Sequence, residues 1–187
     1  MKTILTVSII FLLLMAYPVL TQGNGSDKLP KFDQPILITS AGQSAEVQLA
    51  SVLSKRAGLD ATLIKTATPA DLKDTKTLVL VLGTSLKGLG AAGIDAAEEK
   101  TRVKRLVEAA NNLNINILCL HLGGEARRGQ LTDQLIEEFL PYGKMAIIVK
   151  TGNMDGLFTS ICTKYNIPLI EVERTVDALD PVKNAFF

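Results

Sequence analysis

The sequence predicts a three-layer α/β domain, in which helices cover both faces of a doubly wound, mostly parallel sheet of about five or six strands. Short apolar segments alternate with amphipathic segments from Pro35 to the end of the chain. The apolar segments are hydrophobic on both faces, as expected for parallel strands buried between helices. Each is followed by a segment with helical periodicity, which is the order of a flavodoxin-like or Rossmann-like fold.

Six apolar segments are predicted to be strands. Each is a short run rich in Ile, Leu and Val, bounded by residues that favour turns. The run Thr-Leu-Val-Leu-Val-Leu at 77–82 is the strongest of them, and 61–65 is the weakest. The predicted strands are 36–39, 61–65, 77–82, 115–120, 145–149 and 168–172.

Helices are predicted between the strands from apolar periodicity and capping residues. Ser44 is expected to cap the first, which Gly58 ends, and Thr68-Pro69-Ala70-Asp71 has the hydroxyl, proline and acid of a helix start. Asp95 and Thr132 are expected to cap two further helices. The predicted helices are 44–57, 68 onward, 95–111, 132–140, 157–165 and the turns after 181, with loops at 83–93, 122–129 and 151–155.

The first 23 residues are predicted to be a signal peptide. Lys2 precedes an apolar run from Thr3 to Leu20, and Pro18 and small polar residues mark its end. An uncleaved membrane anchor is the alternative, since ~18 apolar residues are just enough to span a bilayer. Residues 24–34 are predicted to be a linker and 35–187 a single domain. We therefore expect an exported bacterial protein, periplasmic or secreted, without stable membrane association after cleavage.

The composition excludes several classes of function. The chain has 20 basic and 19 acidic residues, which argues against nucleic acid as the main partner, because phosphate binding needs a basic surplus. Trp is absent and aromatic residues make up 5 %, which is poor material for stacking sugars or bases.

A glycine-rich segment resembles nucleotide-binding motifs without meeting their requirements. Residues 88–93 fit G-x-G-x-x-G, but five residues separate them from the preceding strand and the helix starts only after them. As a P-loop the segment also fails, because Leu89-Gly90 stands where Lys-Ser/Thr is required. No cofactor is expected.

Polar residues collect at the carboxyl ends of the predicted strands, where ligands bind in α/β sheets. Gly-rich turns and helix N-termini there favour an anionic group. Arg127 and Arg128 are adjacent, so one of them can grip an anion, although a solvated loop is the alternative. The candidate ligand-binding residues are Ser40, Gln43, Ser44, Thr84, Ser85, Lys87, His121, Glu125, Arg127, Arg128 and Asn153.

His121 is the only histidine, which excludes a multi-histidine zinc site, and no metal is expected. In an enzyme it would be the natural general acid or base, together with Ser40, Ser44 or Asp155. A structural hydrogen-bonding role is the alternative.

Two further residues, Cys119 and Cys162, either form one disulfide or remain buried thiols.

Four segments resemble a family of exported bacterial Rossmann-like or flavodoxin-like domains without an assigned function. They are ITSAGQSA at 38–45, TLVLVLG at 77–83, GLGAAGID at 88–95 and HLGGEARRG at 121–129. The resemblance covers nearly all of 35–187. It implies an extracytoplasmic α/β domain and supplies no catalytic residues to transfer.

Three functions follow from these observations. The favoured one is binding of a small anionic ligand at the carboxyl ends of the strands, in the service of a transporter or sensor. The second is a hydrolase-like extracytoplasmic enzyme that uses His121, and the third is a module that docks a protein of the cell envelope. Binding is favoured over catalysis because no nucleophile motif such as G-x-S-x-G is present.

Overall fold

The computed structural model describes residues 29–187, which form a parallel sheet between two layers of helices. The predicted signal peptide and the start of the predicted linker lie outside the described residues. The strands are β1 (Ile36–Ala41), β2 (Ala61–Leu63), β3 (Thr77–Leu82), β4 (Asn116–His121), β5 (Met145–Val149) and β6 (Leu169–Val172). The prediction of a doubly wound parallel sheet is confirmed.

The strand order is β2-β1-β3-β4-β5-β6, and every neighbouring pair is parallel. The chain moves outward from β1 to β2, returns to β3 on the other side of β1, and then continues to β6. This is the flavodoxin-like order with one additional strand. The direction of winding reverses between β1 and β3, which is where ligands bind in such sheets.

Six α-helices occur in residues 29–187. Two of them, α1 and α6, cover one face of the sheet, and α3, α4 and α5 cover the other. The remaining helix, α2, lies beyond the carboxyl end of β3. The helices are α1 (Glu46–Arg56), α2 (Leu86–Ala92), α3 (Ala96–Asn112), α4 (Gln130–Phe139), α5 (Leu157–Tyr165) and α6 (Leu179–Ala185).

The central strand β3 shows why the strands read as apolar on both faces. All six of its residues are buried. Leu78 and Leu80 pack into the core beneath α3, α4 and α5, whereas Val79 and Val81 pack beneath α1 and α6. Alternate residues of a strand point to opposite faces, so a strand with helices on both sides is apolar throughout.

Two helix predictions are corrected. Ser44 does not cap α1, which begins at Glu46 with Ala45 at the N-cap and no side-chain cap. A helical turn does begin after Thr68, as predicted, and the Asp71 carboxylate accepts a hydrogen bond from the amide of Thr68, but the turn continues only as the 3₁₀ helix Pro69–Leu72. Lys73 has a ψ of 130°, which ends the helical turn, and Asp74 follows in a left-handed conformation at φ 62°.

Two other local predictions are corrected after the third and fourth strands. The predicted loop 83–93 contains α2, which Ser85 caps by accepting a hydrogen bond from the amide of Gly88. Thr132 lies inside α4 rather than at its start, and its hydroxyl oxygen accepts a hydrogen bond from the amide of Thr84 over 2.9 Å. This hydroxyl ties α4 to the loop after β3 instead of capping its own helix.

The two ends of the described chain meet. Phe32, within the predicted linker 24–34, is fully buried, and its ring centroid lies 5.7 Å from that of Phe186. The amide of Phe32 donates to the carbonyl of Ala185 over 2.8 Å. The packed core therefore includes residues on both sides of Pro35. Among residues 29–187, no helix is both long and apolar enough to cross a membrane.

Candidate functional site

Two loops meet at the switch point beyond β1 and β3. Gln43 and Thr84 pair as an antiparallel bridge, and the amide of Ser85 donates to the carbonyl of Gly42 over 2.8 Å. Gly42 has a φ of +109°, and a Cβ there would lie 2.4 Å from the carbonyl oxygen of Gly83. The crevice between these strands is therefore closed by backbone at this point. We call this contact the loop bridge.

A buried carboxylate supports the loop after β1. Glu99, on α3, is 1 % exposed, and its Oε1 accepts hydrogen bonds from the Gly42 amide at 2.8 Å and from Gln43 Nε2 at 3.0 Å. Arg102 Nε donates to Glu99 Oε2 at 2.8 Å, and Arg102 Nη1 donates to the carbonyl of Ala67 at 2.7 Å. The charges of Glu99 and Arg102 are thus paired and hydrogen-bonded, and Glu99 fixes Gly42 and Gln43 of the loop bridge.

A pocket of about 560 Å³ opens beside the loop bridge, between the loops after β1, β2 and β3 and the helix α2. Lys65 and Lys87 line it, and both are exposed. Within residues 29–187 neither lysine makes an ion pair, and no acidic side chain lines the pocket. We call it the lysine pocket. Its lining residues are Gln43, Ser44, Ala45, Lys65, Thr66, Ser85, Lys87, Gly88, Ala91 and Ala92.

The lysine pocket brings together four of the residues that the sequence indicates as ligand-binding. The Ser85 hydroxyl oxygen accepts from the Gly88 amide at 3.1 Å, which leaves its O–H free to donate. Gln43 directs its amide nitrogen to Glu99 and to the carbonyl of Lys65. The four residues are Gln43, Ser44, Ser85 and Lys87.

The two adjacent arginines are paired with carboxylates of the chain itself. Arg127 Nε donates to Glu46 Oε1 at 2.7 Å. Arg128 Nε donates to Asp133 at 2.6 Å, and Arg128 Nη2 donates to Asp155 at 2.8 Å. The hydrogen bonds from Arg128 are the main cause that lowers the pKa of Asp155 to about 2. Carboxylates of the protein therefore contact the Arg128 guanidinium on two sides and the Arg127 guanidinium at Nε.

Neither candidate serine is paired with His121. Ser40 and Ser44 are 0 % and 2 % exposed; the Ser40 hydroxyl has no hydrogen-bond partner among the described residues, and the Ser44 hydroxyl lies beside the carboxylate of Glu46, whose pKa it helps to lower. The ring nitrogens of His121 instead face the carbonyls of Leu82 and Gly124. A serine hydroxyl needs an adjacent base to become a nucleophile. Among residues 29–187, His121 is therefore not placed to activate either serine.

His121 is a buried side chain at the end of β4. Its Nδ1 lies 2.9 Å from the carbonyl oxygen of Leu82, and its Nε2 lies 3.0 Å from that of Gly124. A neutral imidazole has one N–H, so it donates to only one of these carbonyls at a time. Burial lowers the pKa of His121 below its usual value, although the two carbonyl oxygens oppose that change. Its position supports the structural role rather than the catalytic one.

His121 should make stability depend on pH in the weakly acidic range. Its pKa is lower in the folded chain than the value of about 6.5 in an unfolded one, so the unfolded chain binds the proton first as the pH falls. The free energy of unfolding should therefore decrease below pH ~6.5, by at most about 1.4 kcal/mol per pH unit. Urea unfolding between pH ~5 and ~7.5 measures this slope. His121→Gln should flatten this slope. Equal slopes in the unmodified protein and in His121→Gln would show that His121 is not the group responsible.

Three other candidate residues serve loop structure or solvent. Asn153 Oδ1 accepts a hydrogen bond from the amide of Phe158 in the first turn of α5 at 2.9 Å, and its Nδ2 donates to Glu171 at 2.8 Å. Glu125 is exposed. The Thr84 hydroxyl is buried and has no hydrogen-bond partner among the described residues. These residues lie on the same rim as the lysine pocket but outside its lining, and Thr84 belongs to the loop bridge.

Sequence reasoning misses three residues of this site. Glu99 falls on the same helical stripe as Val103 and Leu106, which face the core, and an acid at such a position signals a buried ion pair. Arg102 lies three residues further along the same helix. No sequence signal marks Lys65, because it follows a short edge strand and belongs to no motif.

The two cysteines and the possible metal ligands can be placed among the described residues. Residues 29–187 contain no group of three or more His, Cys, Asp or Glu side chains placed to hold a metal ion. Cys119 and Cys162 are both free, buried thiols, so the disulfide alternative is not what the structure contains. Burial raises the pKa of the Cys162 thiol to about 11, which leaves little thiolate near neutral pH.

The sequence matches a family described as a domain of unknown function, DUF6305, over residues 33–186. None of the curated proteins matches it. Among solved structures, AlinE4, an SGNH-hydrolase family esterase, matches with 15 % identity over 80 % of this chain and 79 % of that chain, with a TM-score of 0.29. A protein of Desulfitobacterium hafniense DCB-2 assigned to the lipolytic G-D-S-L family matches with 13 % identity over 73 % and 75 %, with a TM-score of 0.33. TM-scores this low support no statement about activity.

Proposed function

The chain belongs to the DUF6305 family of domains of unknown function, and we propose that it binds a small anionic ligand in the lysine pocket. The observation that carries this proposal is the charge imbalance of the pocket. Lys65 and Lys87 line it without an acidic neighbour in its walls. An anion that enters the pocket can pair with these lysines without displacing a carboxylate of the protein.

The contrast with the other cations of the rim supports this choice. Arg127 and Arg128 already contact carboxylates at 2.6–2.8 Å, so an anion would have to compete with an existing ion pair. In the lysine pocket, Ser85 lines the same cavity as the two lysines, and its hydroxyl is free to donate. Concave sites lined by one sign of charge concentrate ligands of the opposite sign.

The position in the fold supports the same pocket. Its walls come from loops after β1, β2 and β3, next to the reversal of winding. Ligands of open α/β sheets bind outside the carboxyl ends of the strands at this reversal. The signal peptide predicted at 1–23 would place the activity outside the cytoplasm, and that location stays a prediction.

Isothermal titration with inorganic phosphate, sulfate and acetate at low ionic strength tests the proposal. Lys87→Ala and Lys65→Ala should each weaken binding about tenfold, because a hydrogen bond to a charged group contributes about 1.5–3 kcal/mol. Lys104→Ala is the matched control, since Lys104 is an exposed lysine of α3 outside the pocket. Its Kd should stay that of the unmodified chain.

Two results would contradict the anion site. One is the absence of binding for all three anions. The other is an equal loss in Lys87→Ala and Lys104→Ala, which would indicate diffuse attraction to surface charge rather than a defined pocket.

A further inference from the structure

A second pocket, of about 260 Å³, borders a different face of α2 from the lysine pocket. Aliphatic side chains of α2, α3 and α4 form most of its wall. Of its two charged residues, Glu99 is buried and bonded to Arg102, and Lys100 is paired with Glu138 at 2.6 Å. We call it the apolar pocket. Its lining residues are Gly42, Thr84, Leu89, Ala96, Ala97, Glu99, Lys100, Leu131, Gln134 and Leu135.

The loop bridge and α2 border both pockets. Gly42 and Thr84 line the apolar pocket, whereas the residues that directly follow them, Gln43 and Ser85, line the lysine pocket. In α2, Leu89 faces the apolar pocket, and Gly88, Ala91 and Ala92 face the lysine pocket. A cationic and an apolar cavity therefore share one wall.

This wall is weakly held. Of the seven residues of α2, Leu89 is the buried one, and Leu86 is 73 % exposed. Two glycines, Gly88 and Gly90, each lower the stability of a helix relative to Ala. Helices this short also depend on packing for their stability. Displacement of α2 would therefore expose one buried side chain, that of Leu89.

The underside of α2 rests directly on the loop bridge. A Cβ at Gly88 would lie 1.9 Å from the carbonyl oxygen of Gln43, so helix and loop are in backbone contact there. Movement of α2 away from Gln43 would break this contact at the boundary of the two pockets.

We propose that the ligand is a small amphiphilic acid, whose anionic group binds in the lysine pocket and whose apolar body enters the apolar pocket. Helix α2 moves to admit this ligand. This inference rests on the proposed anion site and names its ligand class. The size of the apolar pocket suits a short chain or a small ring rather than a long acyl chain.

Titration calorimetry of the full chain with straight-chain carboxylates, from acetate to octanoate, tests the inference. Kd should fall about threefold to fourfold for each added methylene until the apolar pocket is full, the factor that corresponds to ~0.8 kcal/mol per buried CH₂. Leu131→Gln, at a half-buried position of that pocket, should remove most of this dependence and leave acetate binding unchanged. Leu113→Gln is the control, because Leu113 is exposed and outside both pockets.

The outcomes separate the inference from the proposed function. Equal Kd values for acetate and octanoate would overturn the amphiphilic ligand and leave the anion site standing. Chain-length dependence that Leu131→Gln leaves intact would also overturn it, because the apolar body would then lie elsewhere. Failure of every acid and of phosphate to bind would overturn both.

Paired glycine substitutions test the part played by α2. Gly90→Ala meets no atom within 4 Å, so it stiffens the helix without a clash and should slow octanoate association severalfold in stopped-flow measurements. Gly88→Ala pushes α2 away from Gln43 and should speed it. Acetate, which needs only the lysine pocket, should associate at an unchanged rate in Gly90→Ala. Identical octanoate rates in both variants would contradict this movement of α2.

Discussion

Replacing Arg102 with methionine is expected to lower the free energy of unfolding by about 3–5 kcal/mol, because it leaves the carboxylate of Glu99 buried without a counter-charge. Arg102 donates to both oxygens of Glu99, at 2.8 and 2.9 Å, and also to the carbonyl of Ala67. The side chains of Arg102 and Glu99 are 14 % and 1 % exposed, so water cannot replace the lost bonds. Urea denaturation at neutral pH measures the loss.

Two controls separate this effect from the loss of any cation. Arg105→Met removes an exposed arginine of the same helix and should change stability by less than about 0.5 kcal/mol. The double variant Glu99→Leu with Arg102→Met removes both charges and should recover part of the stability, since an apolar pair can replace a buried ion pair. A loss below ~1 kcal/mol in Arg102→Met would show that Glu99 does not depend on this arginine for its counter-charge.

The second large effect is expected from Gly42→Ala, at about 2–4 kcal/mol. Two costs add at this position: a φ of +109° strains any residue with a Cβ, and that atom would lie 2.4 Å from the carbonyl oxygen of Gly83. The loop bridge between Gln43 and Thr84 would have to separate. Because both loops line the lysine pocket, the same change should weaken anion binding, which titration with phosphate measures.

Gly58→Ala is the matched control for Gly42→Ala. Gly58 also has a positive φ, +75°, but a Cβ there meets no atom within 4 Å. Its substitution should therefore cost only the backbone strain, about 1–2 kcal/mol. If the two alanine variants lost the same stability and kept the same affinity for phosphate, the close approach of the two loops at Gly42 would contribute neither to folding nor to the pocket.

The sequence predicts the sheet well because its signal is local. The predicted strands 77–82 and 145–149 coincide with β3 and β5, since each is an uninterrupted apolar run. The helix 157–165 is also predicted to the residue. By contrast, α2 is missed because two glycines in seven residues argue against a helix. It forms where Ser85 caps it and Leu89 finds a buried position, and neither contact is visible in a local pattern.

The candidate site is predicted less well, because its electrostatics depend on distant partners. Glu46 neutralises Arg127 from 81 residues away, and Asp155 neutralises Arg128 from 27 residues away. A single sequence places these charged residues at the same edge of the sheet, but it does not show which of them form ion pairs. The principle that ligands bind at the carboxyl ends of strands selects Lys87 and Ser85, which line one pocket. It also selects the two arginines, because it carries no information about their carboxylate partners.

Phosphate titration of the ¹⁵N-labelled full chain, followed by NMR of the backbone amides, tests the anion site most directly. Saturable shifts should be confined to the lysine pocket, at Gln43, Ser85 and Gly88, and should disappear in Lys87→Ala. Shifts centred on Arg127 and Arg128, or no saturable shift at any amide, would contradict an anion site in the lysine pocket.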